Sequence, residues 1–410
     1  MSRPTSRNVF ANADYRRIWS CGLFSGVARW LEFIALGIFA YEVTKSPPLV
    51  ALLALVRLSP FVLLGFFIGA LTDVIDRKRW LLWLTVLLFA VSVAMAAAAF
   101  LGMATYTLIT AATLFSGIYW VTDMPLRRRL MMEMVDRRAL ASASAFDNFT
   151  NYLTRAIGPV FGGVAYQFLG VTGIFALSAI LYVFCFFLIL GVGRRGRSEA
   201  QLSPPPTGRF SLVMLLPPKA LLMRPQFLII LGVTIVYNMW CFPLVAMIPV
   251  IAERDLSLSP AMVGLLSASE GVGGAIAAIT IGLLATNRSL FALYYWGPFG
   301  YLVLLGGLAL SLNLATTTAV FIIAGAAAAC FSAAQYTLVY LTSPEEMRGR
   351  ATGVLSIFIG TSALGIYNAG YLFDNFSSPA ALWIMAGQGL TVMTFLGGLL
   401  WFAADWRRVG

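Results

Sequence analysis

Apolar stretches of about 20 residues repeat along the whole of this 410-residue chain, and they constrain its fold more than any other feature. A helix of about 20 apolar residues is long enough to cross the hydrocarbon core of a bilayer. Because lipid offers no hydrogen-bond partners to the backbone, such segments span it as helices. The sequence therefore predicts an all-α membrane protein with twelve transmembrane helices, at residues 18–41, 49–71, 80–101, 105–123, 139–168, 171–190, 226–251, 260–285, 291–312, 316–341, 351–372 and 380–404.

The composition agrees with a membrane protein and argues against an enzyme. Hydrophobic residues make up 60% of the chain and charged residues only 11%, which is far from the balance of a soluble domain. The chain has no His, so it lacks the HExxH type of zinc site, and it has no phosphate-binding loop with a Walker-type lysine. We expect no catalytic activity, no cofactor and no metal site.

The positive charge of the chain follows its membrane topology. The formal net charge is +11, yet Lys and Arg are concentrated in alternate loops, whereas Lys45 and Arg254 lie in loops on the opposite side. By the positive-inside rule, this asymmetry places both termini in the cytoplasm. The excess charge is thereby explained by topology and by contact with anionic lipid headgroups, and nucleic acid is not an expected partner.

A change of composition divides the chain in the middle. Residues 193–225 are rich in Pro, Gly and basic residues, which is typical of a linker. They separate an N-terminal six-helix bundle, residues 1–192, from a C-terminal six-helix bundle, residues 226–410. The stretch from Gly282 to Arg288 repeats in shortened form the stretch that begins at Gly69. Such repeats are typical of transporters whose halves move about a central site.

The loop between the second and third spans carries a charged motif. Asp73 follows Gly69 by four residues, and three basic residues begin at Arg77. This spacing resembles the loop between helices two and three of the major facilitator superfamily, although Asp76 stands where that family has Gly. The resemblance implies a conformational latch, in which Asp123 pairs with Arg77 and reaches Asp73 in the outward-facing state. For Asp123, an ordinary helix cap and proton coupling are the alternatives.

Three further segments narrow the resemblance. Asn12–Trp19, Thr44–Pro47 and Arg57–Pro60 are similar to the drug:proton antiporter branch of this superfamily, which includes siderophore and macrolide exporters. The resemblance implies a transporter of the bacterial cytoplasmic (inner) membrane that exports a small amphipathic or anionic organic molecule in exchange for protons. We expect a monomer. Uptake, lipid flipping and metalloid efflux stay open, the last through thiols such as Cys21, Cys241 and Cys330.

The fifth span carries a glycine motif. Gly158, Pro159, Gly162 and Gly163 resemble the later half of the antiporter signature in that helix, whereas Thr154 and Ala145 replace two of its earlier glycines. Small residues at this spacing allow two helices to approach closely. We therefore predict a helix-packing role for the motif.

Basic residues inside the spans are candidates for substrate binding, because an ionisable group in hydrocarbon is costly. Arg29 and Glu32 lie three residues apart on one helix face, so they either neutralise each other or bind substrate and protons. Arg155, with Asn151 one turn before it, is the stronger candidate for an anionic ligand. Arg57 is equally compatible with packing, gating or ligand contact.

Acidic residues inside the spans are candidates for proton coupling. Glu270 is the acidic residue deep in the C-terminal half, with no basic residue predicted near it, and a neutral packing role is the alternative. Glu32 is its rival, and Asp147 and Asp123 are the remaining options. Since the chain has no His, coupling has to fall to a carboxylate.

The resemblance also implies a central cavity built by spans one, four, seven and ten. Its expected walls are aromatic with a few hydrogen-bonding groups, which suits an amphipathic organic ligand. Each residue is also compatible with plain packing. The candidates are Trp30, Tyr119, Trp120, Asn238, Trp240, Gln335 and Tyr336. Pro243 and Pro249 predict a break or bend in span seven.

Overall fold

A computed structural model describes residues 9–71, 75–135, 139–193, 221, 223–284, 287–310, 313–344 and 347–402. In this part of the chain the regular structure is helical throughout, with no strand. The all-α prediction is therefore confirmed.

The helices of the first part follow one another closely. A short 3-10 turn, Val9–Ala11, leads into long helices that reach the edge of the predicted linker. They are α1 (Ala13–Thr44), α2 (Pro47–Leu71), α3 (Arg77–Phe100), α4 (Tyr106–Glu133) and α5 (Leu140–Leu190).

The helices of the second part begin at the end of the linker. A π-helical turn, Tyr237–Cys241, separates the first two of them. They are α6 (Pro225–Val236), α7 (Pro243–Arg254), α8 (Pro260–Leu284), α9 (Asn287–Leu310), α10 (Leu314–Thr342), α11 (Arg348–Ile359), α12 (Ser362–Asn375) and α13 (Ser378–Phe402).

Polar residues define where several helices start. The Asn12 side chain accepts hydrogen bonds from the backbone N–H groups of Asp14 and Tyr15 at the start of α1. Thr105 caps α4 in the same way. Asn313 forms a capping box with Thr316 at the start of α10. These side chains satisfy N–H groups that have no partner inside the helix.

Ten segments of the described chain are long and apolar enough to cross a membrane. One of them, Phe146–Leu190, has 45 residues, about twice the length that a span needs. Inside it Gly170 has φ 59° and ψ −153°, a conformation that glycine adopts without strain. This break lies between the predicted fifth and sixth spans. Helix α4 is outside the set of ten because its threonines, tyrosines and Asp123 make it less apolar.

One predicted boundary differs from the structure, and one of the two breaks predicted in span seven is present. Helix α4 continues to Glu133, ten residues beyond the predicted end at 123, because the arginines after Asp123 favour helix although they end the apolar run. In predicted span seven, the π-helical turn ends at Cys241, two residues before Pro243, so the predicted break is found at this proline, which lacks a backbone N–H group. Pro249 lies within α7 without such an interruption.

The two parts of the chain pack together along α5 and α8. A Cβ atom at Gly163 would lie 2.3 Å from the backbone oxygen of Pro260 and 3.0 Å from Cα of Gly264, so glycine is required for this approach. Gly158 and Gly162 bring the same helix equally close to α1, against the backbone near Leu31. The glycine motif thus positions α5 between α1 and α8.

Candidate functional site

Charged side chains are buried together in the middle of the helix bundle. Six of them lie on α1, α2, α4 and α5, and one lies on α8. All are almost inaccessible to solvent, which is unusual for charges unless they are paired. They are Arg29, Glu32, Arg57, Asp123, Arg127, Asp147 and Glu270.

An ion pair joins the two parts of the chain. Arg155 Nη2 on α5 donates to Glu270 Oε1 on α8 at 2.7 Å, with the side chains 11% and 4% exposed. The guanidinium of Arg155 also lies over the ring of Trp30, 4.9 Å from its centre. The expectation that Glu270 has no cationic partner is therefore wrong. Because the partners lie 115 residues apart, only the packing of α5 on α8 brings them together.

Tyr152 strengthens the same junction one turn earlier on α5. Its hydroxyl forms a hydrogen bond with the Ser332 hydroxyl on α10. Sequence reasoning did not select Tyr152, although it lies one residue after Asn151 and three before Arg155. Its helical spacing from Arg155 was the available signal.

Glu32 pairs with a residue other than the one expected. Its carboxylate accepts from Arg57 Nη2 at 3.1 Å and from Ser116 Oγ at 2.9 Å. The same Arg57 nitrogen also donates to the backbone oxygen of Arg29 at 3.1 Å. Mutual neutralisation of Arg29 and Glu32 is thus not what the structure contains, since the Glu32 carboxylate bonds to α2 and α4 instead.

Arg29 is left without a carboxylate partner among the described residues. Its side chain is 7% exposed, and the guanidinium lies 5.0 Å from the centre of the Trp120 ring. A ring face attracts a cation, but it does not accept the hydrogen bonds of the guanidinium edge. Arg29 lines a recess between α1, α4 and α5 that also includes Asn151 and Thr154.

A second cluster of charges lines the same recess, with Arg127, Arg128 and Asp147 among its walls. Arg127 donates to Asp123 at 3.3 Å and to Asp147 at 2.9 Å. Arg128 donates to Asp147 at 2.5 Å and to Asn148 at 3.4 Å. The carboxylates of this cluster are therefore already paired with arginines of α4.

The latch residues have other contacts in this conformation. Arg77 Nη1 donates to Glu133, whereas Asp123 accepts from Arg127. The expected contact of Asp123 with Arg77 is thus not the pairing that the structure shows, because Asp123 lies ten residues, about 15 Å of helix, before Glu133. Gly69 lies in α2, and Asp73 lies outside the described residues.

Asp76, at the position where the family has Gly, acts as a helix cap. It accepts a hydrogen bond from the Arg79 backbone N–H at 3.2 Å and starts α3. The substitution therefore has a local structural role.

The residues expected to line one aromatic cavity fall into separate groups. Trp30 and Trp120 pack together, with ring centres 6.2 Å apart. Tyr119 instead packs on Tyr182 in a buried cluster. Tyr336 is 43% exposed on the surface of α10.

The polar candidates of the second half meet around Thr234. Asn238 Nδ2 donates to the Thr234 backbone oxygen at 2.9 Å, and Gln335 Nε2 donates to its hydroxyl at 3.3 Å. Trp240 Nε1 donates to Gln388 at 2.9 Å. Their hydrogen-bonding groups are engaged inside α6 to α13.

An apolar recess lies between α1, α2 and α7. Its enclosed cavity is small, about 20 Å³, and Phe33, Leu53 and Val245 are among its walls. Arg57 supplies its one charged lining group. The recess therefore joins the two parts of the chain next to the Glu32 site.

At the end of the bundle opposite the linker, polar contacts also join helices of the two parts of the chain. Lys45, after α1, forms an ion pair with Glu253 at the end of α7. This hydrogen bond holds the pKa of Lys45 above its ordinary value, so its ammonium is charged at neutral pH. The Gln167 side chain accepts from the backbone N–H of Ala261 at 3.0 Å on the same side.

The thiols do not gather into a metal site in the described part of the chain. Cys185 Sγ lies 3.5 Å from the Cys21 backbone oxygen, so these two residues share the buried cluster around Tyr119. Cys241 instead contacts the Pro298 backbone oxygen. Cys21 and Cys241 thus lie in different hydrophobic clusters of the described chain.

The family of the chain follows from its sequence as a whole. The transmembrane secretion effectors, a family of major facilitator transporters, match residues 5–403. The chain belongs to this family. It is therefore a membrane transporter of the major facilitator type, as the motifs around Gly69 and Asn12 predicted.

A curated relative and two solved structures are similar to this family member. The staphyloferrin A transporter of Staphylococcus aureus (strain NCTC 8325 / PS 47) is 27% identical over 176 residues, 41% of this chain and 42% of the relative. The match thus spans less than half of that relative.

The solved structures share the fold over nearly the whole chain. The nucleoside transporter NupG has a TM-score of 0.73 and 11% identity, covering 96% of this chain and 100% of that chain. A bacterial homologue of the iron transporter ferroportin, in its inward-facing state, has a TM-score of 0.69 and 15% identity, covering 93% and 98%.

Proposed function

We propose that this transporter exports a small organic molecule in exchange for protons, and that the Arg155–Glu270 ion pair couples the two movements. The observation that carries the proposal is the position of this pair, buried between α5 and α8. In transporters of this kind the halves rock about a site near the middle of the membrane. An ion pair that joins the halves has to open whenever they separate there.

The free energy needed to open the Arg155–Glu270 pair depends on whether Glu270 carries a proton. Leaving one partner of a buried ion pair without the other costs about 3–5 kcal/mol. A proton on Glu270 removes its negative charge before the helices part, which lowers this cost. Protonation of Glu270 therefore favours separation of α5 from α8, and release of the proton favours their return.

Glu32 is the second coupling candidate, and its contacts make it the weaker one. It accepts hydrogen bonds from Arg57 and Ser116, both in the same half of the chain. Opening these bonds does not separate the halves. We assign Glu32 the role of holding Arg57 at the edge of the apolar recess.

The cargo is a small amphipathic or anionic organic molecule. Similarity to a staphyloferrin A transporter supports a small organic molecule. The recess beside Arg57 combines apolar walls with one cation, which suits an amphipathic cargo.

We further propose twelve spans in two six-helix halves, residues 1–192 and 226–410, with both termini in the cytoplasm. The break at Gly170 and the 28 residues of α4 support the count. Lys78 donates to the Leu190 backbone oxygen at 3.0 Å, so the start of α3 and the end of α5 lie at one basic end of the bundle. The proposed location is the cytoplasmic (inner) membrane of a bacterium, as a monomer.

The latch is part of this proposal. Gly69 lies in α2, Arg77 in α3 and Asp123 in α4, and Asp73 lies between α2 and α3 in the sequence. In the described conformation Arg77 bonds to Glu133. We propose that Arg77 exchanges Glu133 for a deeper partner when the cytoplasmic side closes.

Transport by proteoliposomes of known orientation tests the function. Separate vesicles carry the wild-type protein, Glu270→Gln, Glu32→Gln and the exposed control Glu42→Gln. Staphyloferrin A is supplied as the first cargo. We expect the wild type and the control to accumulate cargo against its gradient when a pH gradient is imposed. Glu270→Gln should exchange cargo without accumulating it. Accumulation by Glu270→Gln would exclude this residue as the proton carrier.

A thermal-shift screen provides the cargo if staphyloferrin A is not moved. Siderophores, antibiotics, organic acids and lysolipids are added to the purified transporter, because a bound ligand stabilises the folded state. The selected compound then replaces staphyloferrin A in the proteoliposomes. The direction in which this compound crosses the membrane distinguishes export from uptake.

A further inference from the structure

Arg29 leaves one buried positive charge without a carboxylate. Glu32 is paired with Arg57, and Asp123 and Asp147 are paired with Arg127. The Arg29 side chain forms no hydrogen bond or ion pair with the described residues, although it is 7% exposed. A buried charge without a partner is costly, which points to a partner that comes from outside the chain.

The surroundings of Arg29 leave its edge available. The Arg29 Cζ atom lies over the Trp120 ring, 5.0 Å from its centre, a contact that engages the positive charge but none of the N–H groups in a hydrogen bond. The guanidinium group presents its N–H donors as a planar fork. That planar fork matches the two oxygens of a carboxylate.

A second unused donor lies at the same recess. Asn151 lines the recess with Arg29, and its side-chain amide forms no hydrogen bond with the described residues. Thr154 donates to the Asn151 backbone oxygen at 3.0 Å, so the amide itself stays available. The enclosed cavity is only about 10 Å³, so a carboxylate reaches Arg29 from the open mouth of the recess.

We propose that this recess binds a carboxylate of the transported molecule, with Arg29 as the bidentate partner and Asn151 as an additional donor. Arg155, the stronger candidate from sequence, does not have this role in the described conformation because Glu270 occupies its guanidinium. The cargo therefore carries at least one carboxylate, which binds without opening the Arg155–Glu270 pair. The inference rests on the proposed transport function for the identity of the bound molecule as cargo.

Binding of a simple aromatic carboxylate tests the site. The probes are 2-naphthoate and its neutral analogue 2-naphthamide, titrated into the purified transporter in neutral detergent without a pH gradient. We expect the wild type to bind naphthoate at least tenfold more tightly than naphthamide. Arg29→Gln should abolish this preference, and Asn151→Ala should reduce it severalfold. Arg79→Gln, a change at an exposed arginine, should leave it unchanged.

The variants also report on folding. Since Arg29→Gln removes an unpaired buried charge, its thermal stability without ligand should be no lower than that of the wild type. Arg29→Lys keeps the charge but loses the planar fork, so it should bind naphthoate with intermediate affinity. Asn151→Ala keeps the proposal testable even if both Arg29 variants fail to fold.

Two results would overturn the proposal. One is a failed preference test, in which either the wild type shows no preference for naphthoate or Arg29→Gln keeps the preference. The other is Arg29-dependent stabilisation by phosphatidylglycerol but not by naphthoate, which would make a lipid phosphate the occupant. The binding experiment uses no pH gradient. Its result therefore does not depend on whether Glu270 couples transport to protons. Conversely, absence of a preference for naphthoate would not change the interpretation of the proteoliposome assay.

Discussion

The Arg155–Glu270 pair is best tested by a double-mutant cycle. With side chains 11% and 4% exposed and 2.7 Å between the charged groups, the pair falls in the buried class rather than among screened surface pairs. Arg155→Gln and Glu270→Gln each leave one charge unpaired, so each should destabilise the protein by about 3–5 kcal/mol. The double variant leaves no charge unpaired. It should therefore be much more stable than the sum of the single effects predicts.

The measurement is the free energy of unfolding in mixed detergent micelles for all four proteins. We expect a coupling energy of at least about 2 kcal/mol, within the range of residues in contact. The exposed pair Arg79 and Asp76 is the matched control, since surface pairs contribute about 0–1 kcal/mol. Single effects at Arg155 and Glu270 that add within about 0.5 kcal/mol would refute the reasoning.

Three further changes have defined outcomes. Arg77→Ala should slow turnover while ligand affinity is kept, and Arg79→Ala should change neither; normal transport rates in Arg77→Ala would contradict the latch. Gly163→Val should destabilise by about 1–3 kcal/mol, because its side chain has to displace the backbone near Pro260; an unchanged melting temperature would argue against the α5–α8 contact. Asn12→Ala should cost about 1 kcal/mol through the lost cap of α1, measured by unfolding, whereas Asn12→Gly should cost only a few tenths.

The sequence predicted the helices better than it predicted their contacts. Apolar runs, caps such as Asn12 and small residues such as Gly163 act locally, so their effects are visible in a short window of sequence. The all-helical fold, the transporter family and the close packing of α5 followed from them. The end of α4 differs because its apolar run ends at Asp123, whereas the arginines that follow continue the helix to Glu133.

The ion pairs between helices could not be predicted from local sequence patterns. Arg29 and Glu32 lie on one helix face, yet the Glu32 carboxylate bonds to Arg57 because α2 packs beside it. Glu270 gains Arg155 only through the contact of α8 with α5. These pairings depend on how helices far apart in sequence are arranged side by side, which no local pattern specifies.

The Arg155–Glu270 pair has a consequence for how the protein is made. Synthesis proceeds at about 5–20 residues per second, so Glu270 emerges about 6–23 s after Arg155, 115 residues earlier. During this interval the chain that has been made lacks the carboxylate that pairs with Arg155 in the complete protein. The charge balance of α5 therefore depends on a helix made later. Arrival of the second half then neutralises Arg155 and fixes the partner against which the first half packs.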